Sequence, residues 1–192
     1  MKMIFGLKSL IALMLGLVLL CAGVTFASAE SESTTLVVYF SCTGTTEQLA
    51  QYAADVLHAD LFMIEPSQPY TEADLAYYTN CRADKEQDDP SARPEIANAV
   101  EDMARYDTII LGYPIWHGQA PRIISTFLEN YDFDGKTIVP FCTSASSGIG
   151  SSDVNLYDLC PDTVTWLKGQ RFGSGTSAVQ IENWLTGLGL VK

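Results

Sequence analysis

Residues 39–53 read "YFSCTGTTEQLAQYA". An apolar run ends, a knot of small hydroxyl residues with one glycine follows, and a helical period begins. Upstream, "TTLVVYF" (34–40) is a continuous β-branched and aromatic run, the pattern of a strand covered on both faces. Downstream, "TEQLAQYAADVLHA" (46–59) places Leu49, Tyr52, Ala53, Val56 and Leu57 on one helical face. The knot therefore lies between a buried strand and a helix N-terminus, where backbone N–H groups are free to meet an anion.

The same alternation continues outward. "DLFMIEP" (60–66), "DTIILGYP" (107–114), "KTIVPFCTS" (136–144) and "TVTWLKGQRF" (163–172) read as strands, the third-strand run ending at Gly112. "EIANAVEDMARY" (95–106), "APRIISTFLENY" (120–131) and "SAVQIENWLTGLGL" (177–190) read as helices. Proline at the first turn suits the second of these. "SGIGSSDVNLYDLC" (147–160) is a glycine- and serine-rich loop leading into a short helix. Residues 67–94, with several prolines, the charge run "RADKEQDD" and no steady period, read as a long surface excursion. Strand and helix repeated about five times in one domain predict an α/β, doubly wound, five-stranded parallel sheet with helices on both faces. Ligands in such sheets bind beyond the carboxyl ends of the strands, where the strand order reverses. That places weight on three loops, 41–46, 113–119 and 143–152.

The N-terminus is read separately. Lys2 and Lys8, the apolar run Ser9 to Cys21 and the small-x-small Ala27-Ser28-Ala29 before Glu30 describe a secretory signal peptide over 1–29, with the domain over 30–192. The apolar core is short for a bilayer span, so no stable membrane insertion is expected after cleavage. A lipid anchor at Cys21 ranks below simple cleavage because Leu20 is bulky where such sites take a small residue. The expected location is thus outside the cytoplasm, secreted or in the cell envelope. Losing the two lysines leaves 9 basic residues against 23 acidic ones, moving the net charge from −12 to −14. A domain this acidic repels phosphate backbones, which argues against nucleic acid. Cys42, Cys81, Cys142 and Cys160 are widely and irregularly spaced, with no C-x-x-C pair, and His58 and His117 are isolated, so neither zinc nor another metal is assigned.

Three phosphate-binding patterns are excluded for the first loop. Neither the nucleotide P-loop nor the dinucleotide G-x-G-x-x-G stands after the first strand. A cysteine phosphatase would need arginine six residues after the nucleophile, where Cys42 has Gln48. What remains is a cluster of hydroxyls capped by a helix start, with Gly44 permitting close backbone approach. Helix N–H groups there could lower the Cys42 thiol pKa, although Cys42 reads as a small filler without a catalytic role.

"SCTGTT" resembles the flavin mononucleotide phosphate loop of the flavodoxin family, Ser/Thr-x-Thr-Gly-x-Thr directly after the first strand, and the likeness extends through "GYPIWHGQAP" and "FCTSASSGIGSS". The resemblance implies a flavodoxin-like fold with strand order 2-1-3-4-5, FMN as cofactor and electron transfer as the task. Carried over by position, Ser41, Thr43, Gly44, Thr45 and Thr46 would hold the phosphate. Pro114, Ile115, Trp116, His117 and Gly118 would form the second flavin loop, with Trp116 beside the ring and a backbone group near Gly118 close to the flavin N5. Thr143, Ser144, Ser147 and Gly148 would face the pyrimidine edge. Related sequences often carry a second aromatic where His117 stands. The leading expectation is an exported electron carrier serving a redox partner protein or small acceptor. The alternatives are an NAD(P)H-dependent FMN reductase acting on a quinone or other small acceptor, and a flavin-free binding module on the same fold.

Overall fold

The computed structural model describes residues 34–191. The expected signal peptide, Cys21 and the expected domain boundary at residue 30 lie outside them. Five parallel positions form the sheet in the order expected, 2-1-3-4-5: β1 (Thr35–Tyr39), β2 (Asp60–Met63), β3 (Thr108–Pro114), β4 (Thr137–Thr143) and β5 (Thr165–Trp166), with β6 (Gln170–Phe172) also pairing with β4. The order reverses between β1 and β3, which pair from Thr35↔Thr108 to Tyr39↔Gly112. The three loops 41–46, 113–119 and 143–152 leave the carboxyl ends of β1, β3 and β4.

Side-chain alternation divides the core in two. Val37, Tyr39, Ile110, Val139 and Phe141 face α1 (Thr45–Leu57) and α4 (Ala178–Gly187), meeting Leu49, Ala53, Ile181 and Leu185. Leu36, Val38, Phe40, Ile109 and Leu111 face the other way, onto α3 (Arg122–Glu129) through Ile123, Ile124 and Phe127. Between β3 and β4, one glycine makes room for a ring. A Cβ on Gly112 would lie 2.3 Å from Cζ of Phe141, its register partner, so the Phe141 ring crosses over the space a side chain would fill.

The fifth strand position is interrupted, where the sequence reads as one run. Trp166 pairs with Ile138 and Gln170 with Phe141, so four steps on one side oppose three on the other. This bulge stands opposite Pro140, which has no N–H to give a ladder. Gly169 sits in the kink, where a Cβ would come within 2.4 Å of Ile149 and 3.1 Å of Pro140.

Two expectations are corrected. The segment 95–106, read as a helix from the period of Ile96, Val100 and Met103, is largely extended, with one 3-10 turn at Met103–Arg105. Its backbone pairs back onto the chain leaving β2, with Ser67 N–H to Glu95 O at 2.8 Å and Ala97 N–H to Glu65 O at 2.7 Å. Asn98 staples the turn, giving its amide to Met63 O and accepting from Glu65 N–H. The same apolar residues reach the core, but from an extended return to β3. Residues 67–94 are also more than a surface excursion. "RADKEQD" forms α2 (Arg82–Asp88), with Ala83 buried and Gln87 8 % exposed against the second loop. The charge run is a helix whose Arg82 and Glu86 pair at i, i+4.

Candidate functional site

Gly44 carries the turn from β1 into α1. Its φ of 83° is left-handed, which a residue without Cβ adopts freely, and its N–H bonds Ser41 Oγ at 3.1 Å. No side chain caps α1. The N–H groups of its first turn therefore have no intrahelical acceptor, and the positive end of the helix dipole faces the loop. Thr43 is exposed and Thr45 half-buried beside this end. Glu47 shares it, so an anion here binds next to a carboxylate.

Thr46 stands apart from the other phosphate candidates. Its side chain is 1 % exposed, and its hydroxyl meets that of Thr143, itself 5 % exposed, at 2.8 Å. Both residues lie beneath the loops and join the first to the third. The two hydroxyls bond each other rather than projecting from the loop mouth. Ile115 N–H bonds Thr143 O at 2.9 Å, which brings the second loop to the same point. Gln119 then spans to the third loop and the 3-10 turn after it, donating to Ser151 Oγ at 3.4 Å and accepting from Asn155 at 2.7 Å. Pro114 closes β3, while Ser144 is half-buried and Ser147 and Gly148 are exposed along the third loop. Arg171 braces that loop from β6 by donating to Ser144 O and Ala145 O at 2.6 and 2.8 Å. A groove of about 510 Å³ between β6 and α4 is lined by Arg171 and by no residue of the first or second loop.

Trp116 is where the structure departs most from expectation. Only 3 % exposed, it packs in T-shaped contacts with Phe40, Tyr70 and Tyr77 at 5.5, 5.1 and 6.2 Å between centroids. A ring enclosed this way packs as part of the core cluster with Phe40. The exposed aromatics are its neighbours: Tyr77, 38 % exposed, and Tyr78, 89 % exposed, flank the His117 ring at 5.5 and 5.3 Å. The second loop turns at His117 and Gly118, both left-handed at φ 48° and 76°. Gln87 holds it from α2, donating to Trp116 O and Ala120 O.

The sequence reading missed the contribution of residues 70–87. Tyr70 packs on Phe40 and Trp116, its hydroxyl bonds Glu86 at 2.5 Å, and the Arg82 guanidinium lies 3.9 Å from its ring centroid. Asp84 accepts N–H bonds from Tyr78, Thr79 and Cys81 at 3.0–3.1 Å, and its Oδ1 lies 2.8 Å from His117 Nε2. Three tyrosines before a charged run were the available signal, but without a period they carried no address in the fold.

Desolvation opposes the charged form of the Asp84 carboxyl, but the N–H groups of Tyr78 and Cys81 and the His117 ring outweigh it and hold the carboxyl down to about 2, from an ordinary 3.8. A depressed carboxyl stabilises the fold above its unfolded value and loses that contribution as protons bind. Urea midpoints should accordingly fall between pH 4 and pH 2, and Asp84→Asn should flatten that part of the profile. An identical slope in the variant would rule Asp84 out as its source. The four cysteines are free thiols in the described residues. Cys42 is exposed, yet the protein around it still desolvates the thiol enough to raise its pKa to about 11, only partly countered by Arg82. Among the described residues there is no metal-binding cluster and no helix long and apolar enough to cross a membrane.

Fold and loops together define an α/β protein with an uncapped helix end and two further loops gathered at the switch point of a 2-1-3-4-5 sheet. The flavodoxin family model matches residues 34–188, and the chain belongs to that family. A protein of Bacteroides eggerthii assigned as a flavoprotein is 40% identical, with a TM-score of 0.75 over 81% of this chain and 97% of its own. A counterpart from Bacteroides uniformis is 38% identical, with a TM-score of 0.76 over 81% and 99%. A Lactobacillus acidophilus flavoprotein crystallised in complex with FMN is 26% identical, with a TM-score of 0.58 over 71% and 91%. No curated protein matches the chain.

Proposed function

We propose that the mature chain is an exported electron-transfer protein that binds FMN, with the phosphate on the loop 41–45 and the end of α1. The observation that carries this reading is the uncapped N-terminus of the 13-residue α1 beneath a hydroxyl loop with a left-handed glycine. An FMN phosphate supplies the anion that such an end accepts. The relative crystallised with FMN supports the choice of cofactor. When bound, the flavin supplies the redox chemistry. The chain supplies N–H groups and the Thr43 hydroxyl at the phosphate, the backbone of Ile115–Gly118 and Ser144 and Ser147 near the ring, and Tyr77 and Tyr78 at the rim. The net charge of −14 after loss of Lys2 and Lys8 disfavours an anionic reduced flavin and lowers its potential. A basic or neutral redox partner suits the same charge.

Thr43 tests the phosphate assignment without disturbing the buried Thr46–Thr143 pair. Thr43→Val should weaken FMN by about 1.5–3 kcal/mol, the worth of a hydrogen bond to a charged group, and leave riboflavin binding almost unchanged. Flavin fluorescence titration of residues 30–192 measures both. Equal losses for the two flavins would place the phosphate elsewhere. A reductase acting on a small acceptor is the second reading, favoured by the ordered His117–Asp84 pair in the second loop.

A further inference from the structure

We propose that the groove between β6 and α4 binds a small monocarboxylate with an apolar or aromatic body, held at its charged end by Arg171. This is a second site, which goes beyond the flavin reading and does not rest on it.

The groove lies at the carboxyl edge of the sheet, where ligands of this architecture bind, but beside the three loops rather than among them. β6 pairs with the end of β4, from Phe141↔Gln170 to Thr143↔Phe172, and Phe172 O accepts from Ser144 N–H where the third loop departs. No residue of the loops 41–46, 113–119 or 143–152 lines it. Its volume of about 510 Å³ falls within the range of small-molecule sites, about 300–1,000 Å³. α4 supplies one wall through Gln180, Asn183 and Trp184, and β6 the other through Arg171 and Phe172.

The charge of Arg171 is unanswered within the fold. Arg82, Arg93 and Arg105 each pair with a carboxylate, those of Glu86, Glu129 and Asp60. Arg171 pairs with none among the described residues. Its Nη2 goes to the carbonyls of Ser144 and Ala145, which accept hydrogen bonds but carry no net charge. Its Nε is buried without a partner, so neither water nor protein satisfies the guanidinium on that side. Nη1 also lacks a bond but is not buried, which leaves it as the end open to a ligand. In a chain with 23 acidic residues, an arginine that meets none of them is matched to an anion from outside.

The rest of the lining donates hydrogen bonds and does not compete for the cation. No acidic side chain lines the groove. Gln180 gives its carbonyl oxygen to the Ser177 N–H at 2.9 Å as the far end of the α4 capping box, so its NH2 group remains to donate. The indole N–H of Trp184 has no partner among the described residues and is not buried. One guanidinium matches one negative charge, whereas a dianionic phosphate would bring a second into a domain this acidic. The space beyond the charged end is bordered by Phe172 and Trp184, whose rings pack edge-to-face at 5.3 Å, and these select an apolar or aromatic body.

The mature chain without flavin is titrated with 2-naphthoate and with its neutral counterpart 2-naphthamide, following the indole N–H peaks of the three tryptophans by NMR. The Trp184 peak should move saturably with naphthoate in the millimolar range or below, while that of buried Trp116 stays in place. Naphthamide should bind about tenfold more weakly, as expected where a hydrogen bond to a charged group is lost. Arg171→Gln should abolish this preference for naphthoate over naphthamide. Gln180→Glu is the sharper variant. Glutamate keeps the capping box with Ser177 and suits the first turn of a helix, so the thermal midpoint should not fall. Its carboxylate stands in the groove, however, and should weaken naphthoate by about tenfold, since like charges brought together repel. Equal binding of naphthoate and naphthamide to wild type, or undiminished binding to Gln180→Glu, overturns recognition of an anion. Inorganic phosphate that moves the Trp184 peak as strongly as naphthoate overturns the monocarboxylate assignment, and a peak that stays in place with every probe removes the site. Displacement of naphthoate by FMN makes the groove part of the flavin site and overturns its separateness.

Discussion

Trp116→Ala should lower the unfolding free energy of the flavin-free protein by about 3–5 kcal/mol, the range for truncating a large buried aromatic. Phe40, Tyr70 and Tyr77 surround the indole, and truncation removes all three of its edge-to-face contacts. Phe40 is anchored at the end of β1, its N–H bonded to Gly112 O at 3.0 Å. The Tyr70 hydroxyl is fixed to Glu86. Rigid neighbours of this kind leave a cavity rather than collapsing into it. Urea denaturation without flavin isolates the effect, because a residue acting only by stacking on the cofactor would leave that curve in place. A midpoint and slope equal to those of wild type would return Trp116 to the cofactor surface.

Gly112→Ala should be the most damaging single methyl in the sheet. The new Cβ would lie 2.3–2.5 Å from two ring atoms of Phe141. That ring has little freedom to withdraw, since Phe172 and Trp184 pack against it at 6.2 and 6.0 Å. Overpacking of a rigid site costs about 1–3 kcal/mol and sometimes more, and here it would also part β3 from β4 beneath the second and third loops. Phe141→Leu in the same chain should recover part of the loss, because a smaller side chain vacates the space over residue 112. The double-mutant cycle measures this coupling. Strict additivity of the two changes would mean that the contact is not the cause.

The sheet was legible because a parallel strand buried on both faces has a continuous apolar run, as in "TTLVVYF" and "DTIILGYP". Order 2-1-3-4-5 came from the family likeness rather than from periodicity, since alternation alone does not say where a strand inserts. The first and third loops at the switch point were legible too, as interruptions rich in Ser, Thr and Gly, and the second as the break after the "DTIILGYP" run. Local pattern failed where tertiary contacts decide conformation. Ile96, Val100 and Met103 have helical spacing, yet pairing with residues 65–67 and the Asn98 bridge draw that chain out. Thr46 looks from sequence like any other loop hydroxyl, and only the fold supplies its partner Thr143. Trp116 and His117 are adjacent in sequence but separated in fate by a two-residue turn, which buries one and presents the other.

The hydroxyl pair of Thr46 and Thr143 joins residues 97 positions apart. Closing so long a span costs chain entropy before any contact repays it, so bonds of this kind form late on the way to the native sheet. Interactions absent from the folding transition state act on the rate of unfolding and hardly on the rate of folding. A cofactor that grips the first and third loops together therefore works as a brake on their separation. It lengthens the lifetime of the folded protein without hastening its birth, which matters most to a chain that has to endure once synthesis is finished.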